Sequence, residues 1–381
     1  MKIGIDIRCL MSPYYSGVAQ YTYNLLNNLF KIDKNNQYKL FYNSSQDVTA
    51  NLPKFDYNNV EFYGFNYPNK LLNSLFLFIN YPEIEKLIKG CDAFFLPNLN
   101  FCAWQKITTK IITIHDLSFK IFPHFFSLKQ RLWHRFIRPK NLISQCSKII
   151  ADSQNTKNDL LNYYQLPEQK IKVIYPGIDR EIYRKIDVSN FKLQAIKKQY
   201  NLPDKFILYL GTIEPRKNIT GIIEAFDLFK SQNEQFVDLN LVIVGSKGWK
   251  SKKIFQTAEN SSFSDQIHFI GYIAEEHKPF FYHLAELFVF PSFYEGFGLP
   301  VLEAQACALP VIAGLNSSFP EILKNSALLV NPDNLTEIAQ GFTQILTQQD
   351  FKQALIAKGL ENVERFSWQK CAQETLNYLV T

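Results

Sequence analysis

Residues 287–290, Leu-Phe-Val-Phe, are an apolar run that reads as a buried strand, and Pro291-Ser292-Phe293-Tyr294-Glu295-Gly296-Phe297-Gly298-Leu299-Pro300-Val301-Leu302-Glu303 follows it directly. Pro300 is a natural opening residue for a helix, so the stretch spells strand, loop and helix start. Gly296 and Gly298 let the loop fold with its amides exposed, and the helix N-terminus beyond them can face an anion. Glu295 stands before the loop and Glu303 in the first helical turn, at different depths. Taken singly, a first-turn glutamate often only complements the helix dipole, and a Gly-x-Gly is often only a turn. Their combination carries more weight.

The same rhythm runs through the whole chain. Strands are expected over 2–8, 38–42, 60–65, 93–96, 110–114, 149–152 and 171–175, and again over 206–210, 239–244, 267–270, 287–290, 311–312 and 328–330, with helices between. A chain of 381 residues is too long for one ordinary core, so the reading is α/β, two doubly wound Rossmann-like parallel-sheet domains facing across a cleft. The expected domains are 1–180 and 204–366, joined by a proline- and charge-flanked linker at 181–203. A capped helix over 367–381 crosses back to the first domain.

Lys and Arg number 41 against 35 Asp and Glu, a net +6 that argues against a dedicated nucleic-acid binder. The six cysteines show no Cys-x-x-Cys and no regular spacing, so neither a zinc site nor a disulfide framework is suggested. Asp6 and Arg8 fall where a secretion signal would need apolar residues, which predicts a cytoplasmic protein. The most lipid-like segment, 71–79, is broken by Asn73 and Ser74 and is far shorter than the ~20 residues of a spanning helix. Residues 128–140 interleave Lys129, Arg131, Arg135, Arg138 and Lys140 with Leu132, Trp133, Phe136 and Ile137. Such a helix can lie on anionic lipid as a peripheral contact, or pack its apolar side on the sheet.

Polar motifs gather at the carboxyl ends of the expected strands, where doubly wound sheets bind ligands. Gly17 follows the first strand, His115-Asp116 ends another, and Gly211, Gly245 and Gly271 punctuate three more. In Thr212-Ile213-Glu214-Pro215-Arg216-Lys217-Asn218 a planar guanidinium and an ammonium meet at a helix start, a pairing suited to a diphosphate whose charge grows as it leaves. Cations there oppose the helix dipole, so a purely structural benefit is harder to find. His115 can hydrogen-bond a sugar hydroxyl, shuttle a proton with Asp116 orienting it, or serve only as a structural residue. No Asp-x-Asp occurs to hold a metal–diphosphate complex, no P-loop and no Gly-x-Ser-x-Gly elbow. Protein groups must therefore neutralise the diphosphate, with no metal or other cofactor expected.

These motifs resemble the retaining glycosyltransferases of family 4, which have the GT-B fold, and are closest to their mannosyltransferase branch. The resemblance rests on Gly211-Thr-Ile-Glu-Pro-Arg-Lys-Asn218, Val244-Gly245, Phe269-Ile-Gly-Tyr272, the 291–303 stretch and Ser317-Ser-Phe-Pro-Glu321. It implies a nucleotide-sugar donor held mainly by the C-terminal domain, GDP-mannose favoured and a UDP-hexose second, and a glycan or lipid-linked acceptor held by the N-terminal one. Glu303 would bind the ribose, Glu295 and the amides of Gly296, Phe297, Gly298 and Leu299 the donor sugar, and Arg216 with Lys217 the diphosphate. His115 would approach the donor sugar. The catalytic set would thus be His115, Arg216, Lys217 and Glu295, with Gly17, Gly211 and Gly245 lining the donor site. One departure is that Gly17 is followed by Ala19 and Gln20, where the family often has a second glycine and a basic residue. Another is Ala308, which stands where a glycine is common. A non-catalytic nucleotide-sugar binder, or another GT-B enzyme such as an epimerase or a phosphorylase, is the competing expectation.

Overall fold

The structure, a computed structural model, describes residues 1–105, 108–184 and 191–380. Its compact units are Met1–Leu117 with Leu128–Gly177 and the chain from Ser367 onward, and Ser118–Ser127 with Ile178–Phe366.

The N-terminal unit holds seven strands: β1 Lys2–Asp6, β2 Gln37–Asn43, β3 Val60–Phe65, β4 Ala93–Leu96, β5 Thr109–Ile114, β6 Lys148–Ala151 and β7 Ile171–Val173. All are parallel, in the order β3-β2-β1-β4-β5-β6-β7. The middle strands β4, β5 and β6 are almost wholly buried, which is why they read as continuous apolar runs rather than as alternation. The helix Gly17–Ile32, capped by Ser16, packs on the helix Trp368–Val380, which the N-terminal unit thereby recovers from the far end of the chain.

The C-terminal unit holds six: β8 Lys205–Leu210, β9 Leu239–Val244, β10 Ile267–Gly271, β11 Leu287–Phe290, β12 Val311–Gly314 and β13 Leu328–Val330. These too are all parallel, ordered β10-β9-β8-β11-β12-β13. In both sheets the order reverses beside the first strand of the unit, between β1 and β4 and between β8 and β11. Such switch points open a crevice at the carboxyl ends.

Three details sharpen or differ from the sequence expectation. The helix expected over 128–146, with a kink or break at Pro139, is two helices, Leu128–Ile137 and Pro139–Ser144, separated by Arg138 in the left-handed region at φ 51°. Proline cannot donate the next helical hydrogen bond, and it disfavours helical geometry in the residue before it. The expected linker contains the helix Phe191–Gln199, which joins the C-terminal unit through buried Leu193 and Ile196. Tyr200 beyond it lies edge-on to Phe281 at 5.1 Å. Residues 185–190 of that linker lie outside the described residues. Last, Ser118–Ser127 belongs to the C-terminal unit. There Phe122 and Phe125 meet the rings of Tyr294 and Phe293 at 5.8 and 5.3 Å, and the Trp249 indole donates to the Phe125 carbonyl at 2.8 Å.

Candidate functional site

Two loops leave the switch point of the C-terminal sheet. From β8 the chain runs through Gly211 into a single tight turn, Pro215–Lys217, and then through Asn218, left-handed at φ 56°, into the helix Ile219–Gln232. From β11 it runs to Gly298, left-handed at φ 93°, and into the helix Leu299–Ala306. The loops are stitched together where the Phe293 amide donates to the Arg216 carbonyl at 2.9 Å.

That stitching brings three charged side chains together. Lys217 Nζ donates to Glu295 Oε1 at 2.6 Å, and Arg216 Nη1 lies 3.3 Å from Glu295 Oε2. Arg216 also donates to the Tyr294 carbonyl at 2.6 Å and to Glu214 Oε1 at 2.7 Å. Burial pushes the Glu295 carboxyl up, but Lys217 and Arg216 outweigh it and hold the group below the usual carboxylate range. Lys217 shifts the other way. Burial and the neighbouring Arg216 depress its ammonium further than Glu295 and Glu214 raise it. Two cations and two carboxylates balance in charge, so an entering anion must take over hydrogen bonds that Glu295 now receives.

Beside this cluster lies an anion cradle. Gly296 and Gly298 are buried and Leu299 is half-buried, and among the described residues their amides meet no acceptor. Buried backbone donors are almost always paired, so unpaired ones at a helix N-terminus favour an anionic ligand. The loop itself is fixed from behind. The Glu295 amide donates to Ser317 Oγ at 3.0 Å, and the Ser318 hydroxyl reaches the carbonyls of Glu295 and Phe297 at 3.0 and 3.2 Å. Gly298 has a positive φ, and a Cβ there would lie 2.5 Å from the Phe319 ring.

The remaining predicted residues separate into several settings. Glu303 stands in the next helix and accepts from the buried Tyr282 hydroxyl at 2.8 Å, with Tyr183 also hydrogen-bonded to it. Phe297 turns its ring onto Phe366 at 5.5 Å. Gly211 and Gly245 meet each other at the strand ends, where a Cβ on Gly245, at φ 146°, would lie 1.9 Å from the Gly211 carbonyl oxygen. Both of their amides are used there, donating to the carbonyls of Val244 and Gly271.

Gly17 and His115 belong to the N-terminal unit. Gly17 opens its helix with no atom within 4 Å of where a Cβ would stand, so nothing in its packing requires glycine. His115 follows β5, with Nδ1 2.5 Å from Asp152 Oδ2 and Nε2 2.9 Å from the Pro97 carbonyl. Tyr21 stands edge-on to the ring at 4.7 Å. A carbonyl only accepts, so Nε2 carries a proton, and the carboxylate favours one on Nδ1. Burial pushes the imidazole down, yet Asp152, helped by Asp116, overcomes it and raises the ring above the ordinary histidine value. The orienting carboxylate is thus Asp152 and not the expected Asp116.

Asp152, Glu214, Ser317, Ser318, Tyr183 and Tyr282 are the supporting residues that sequence reasoning did not assign. Glu214 was visible two positions before Arg216. The Asp152 contact depends on β5 lying beside β6 with Ile114 opposite Ala151, which brings the next residue of each strand together. Neither strand alone announces that pairing.

Two doubly wound parallel sheets, each with a switch point, define a fold of the GT-B class. Residues 15–182 match the family described as Glycosyltransferase Family 4 and residues 192–361 that described as Glycosyl transferases group 1, so the chain belongs to these glycosyltransferases. An O-antigen chain mannosyltransferase B of Escherichia coli is 28% identical over 73% of this chain and 72% of its own length. A serotype-specific mannosyltransferase WbdA of the same species is 32% identical over 59% of this chain, a stretch that spans only 27% of WbdA. Among solved structures, sucrose-phosphate synthase from Thermosynechococcus elongatus superposes with a TM-score of 0.79 at 20% identity over 99% of this chain and 98% of that one. Anabaena HepE in complex with UDP-glucose gives 0.74 at 18% identity over 100% and 99%.

Proposed function

We propose that this glycosyltransferase moves mannose from GDP-mannose to a glycan or lipid-linked acceptor, with retention of configuration, in surface polysaccharide assembly. The observation that carries the reading is the meeting of Arg216, Lys217 and Glu295 beside the unpaired amides of Gly296, Gly298 and Leu299. A donor diphosphate would draw the two cations toward itself and use the amides. Glu295, released in part, would accept from a sugar hydroxyl. Arg216 and Lys217 then stabilise the charge that grows on the leaving diphosphate, so that protein groups supply the compensating positive charge without a metal. Glu303 would hold the ribose in exchange for its tyrosine partners. With both ring nitrogens of His115 already engaged, its part is to present a positive edge to the donor sugar rather than to remove a proton. That leaves a donor phosphate oxygen to take the acceptor proton in front-face attack.

Mannose is favoured by the mannosyltransferase relatives and the Glu-Pro-Arg-Lys-Asn form of the β8 loop. A UDP-hexose is the second reading, favoured by the UDP-glucose seen in the HepE structure. Among the described residues no helix is long and apolar enough to cross a membrane. Peripheral contact is supported by the helix Leu128–Ile137, whose Leu128, Leu132 and Phe136 are 75%, 50% and 50% exposed beside its basic residues. Those three side chains are uncovered, while Ile137 of the same helix is buried.

The test is a panel of nucleotide sugars scored by thermal shift, followed by NMR of the product anomer. GDP-mannose at ~100 Kd should stabilise the protein by about 2.7 kcal/mol and yield an α-linked product. A larger shift with UDP-glucose would transfer the assignment to the second reading. No shift with any donor would refute the site, and an inverted product the mechanism.

A further inference from the structure

A cavity of about 290 Å³ lies wholly within the N-terminal unit, and none of its lining residues belongs to the candidate site described above. Its walls come from the helix Asn69–Phe78, the segment after β4, the start of β5 and the two helices around Arg138. Phe76, Trp104, Ile137 and Leu142 give it an apolar body. Lys110 and Arg138 are its cations.

Lys110 is the unusual member. The residue is only 8% exposed, yet among the described residues its ammonium makes no hydrogen bond and no ion pair. The Trp104 ring lies beside it, with Nζ 5.6 Å from the centroid. Glu85 feels the Lys110 charge, but it does not line the cavity, and burial raises its carboxyl above the usual range. An ammonium so enclosed, with no hydrogen-bonded anion, is costly compared with one that is paired. An anion in the cavity would supply that pairing. Arg138 stands exposed among the lining residues, held there by its left-handed backbone, and adds a fork suited to phosphate.

The walls also say what the anion is attached to. Phe76 is packed under the Arg8 guanidinium at 5.9 Å, and Phe101 offers its carbonyl to the same group at 2.6 Å, so Arg8, neutralised by Asp6, braces this end of the cavity. Phe101 in turn lies edge-on to the partly exposed Trp133 at 6.2 Å. Apolar surface continues outward along both helices, through Phe78 and Ile79 on one side and Phe136 on the other, which are 72%, 65% and 50% exposed.

We propose that this cavity binds a phosphate ester, its phosphate between Lys110 and Arg138 and its apolar portion along Phe76, Ile137 and the exposed helix faces. The inference concerns binding alone and stands whether or not the enzyme uses GDP-mannose.

The experiment is a thermal-shift titration of the full chain with inorganic phosphate and, separately, with a short-chain phosphatidic acid kept below its micelle concentration. That probe avoids the exposed basic surface that any anionic vesicle would attract. Both ligands should stabilise the protein saturably, the lipid more tightly. Lys110→Met should weaken both by about tenfold or more, as loss of a charge-assisted bond does. Arg138→Gln, at an exposed position, should weaken both without touching the core. If the short-chain lipid binds no better than inorganic phosphate, the apolar wall takes no part in binding and the proposal is overturned. Absence of a saturable shift, or equal shifts in wild type and in whichever of the two variants folds, would overturn the proposal.

Discussion

Glu295 is the residue on which the proposed donor site turns, because it holds both cations in place and must give way when an anion enters. Arg216→Ala and Lys217→Ala should each lower kcat by on the order of 10², the scale for losing one preorganised charge-stabilising group. Steady-state kinetics with saturating donor will check this, and near wild-type turnover in both would remove them from the reaction. The His115–Asp152 pair makes a different prediction, in pH. His115 titrates above its unfolded value near 6.5, so the pair's stabilisation is complete below about pH 6.5 and is lost as pH rises through the folded value. In Asp152→Asn the desolvated ring is left without its counter-charge. The melting temperature of wild type should therefore exceed that of the variant most in mild acid, and the gap should narrow as the solution is made alkaline. A gap independent of pH would mean that Asp152 acts by packing alone.

At the scale of elements, the glycine loops and the helix they feed are where sequence and structure meet most directly. Strands β3, β4, β9, β11 and β13 fall on the residues expected; for the largely buried β4, β9 and β11 that is because a buried parallel strand is close to an unbroken apolar run that a turn residue closes, whereas β3 and β13 are edge strands. The motif loops were legible for the same reason, since β8 and β11 each hand their polar residues to a carboxyl edge. The helix Asn69–Phe78 was not, because its apolar residues extend well past the two it buries, Leu72 and Phe76. The excursion of Ser118–Ser127 into the C-terminal unit was equally hidden, since its aromatic contacts lie far away in sequence. Ala308 shows a local departure with a measurable cost. It follows the helix Leu299–Ala306 in the left-handed region at φ 58°, where glycine is the residue without a steric penalty. Ala308→Gly should raise stability by roughly 0.5–1 kcal/mol in urea unfolding, net of the chain entropy that glycine adds. A loss of stability would show that the alanine methyl contributes more by contact than its backbone costs.

Across the whole molecule, the chain builds two cores from interleaved segments, and each should respond separately to perturbation. The N-terminal core depends on residues that arrive last. Trp368 is 6% exposed and stands 6.0 Å from Tyr21, whose ring supports His115, and the Trp368 amide would lie 2.1 Å from a Cβ on Gly177. Trp368→Ala should therefore cost the N-terminal unit about 3–5 kcal/mol, the usual range for removing a buried tryptophan. The donor-site cations and amides all lie in the other unit. Hydrogen exchange should accordingly show faster exchange in the helices Gly17–Ile32 and Trp368–Val380 of the variant, while a nucleoside diphosphate continues to protect the loops after β8 and β11. Removal of the ligand should reverse that protection without affecting the N-terminal sheet. Loss of nucleotide protection in Trp368→Ala would mean that the C-terminal site cannot assemble without an intact N-terminal core.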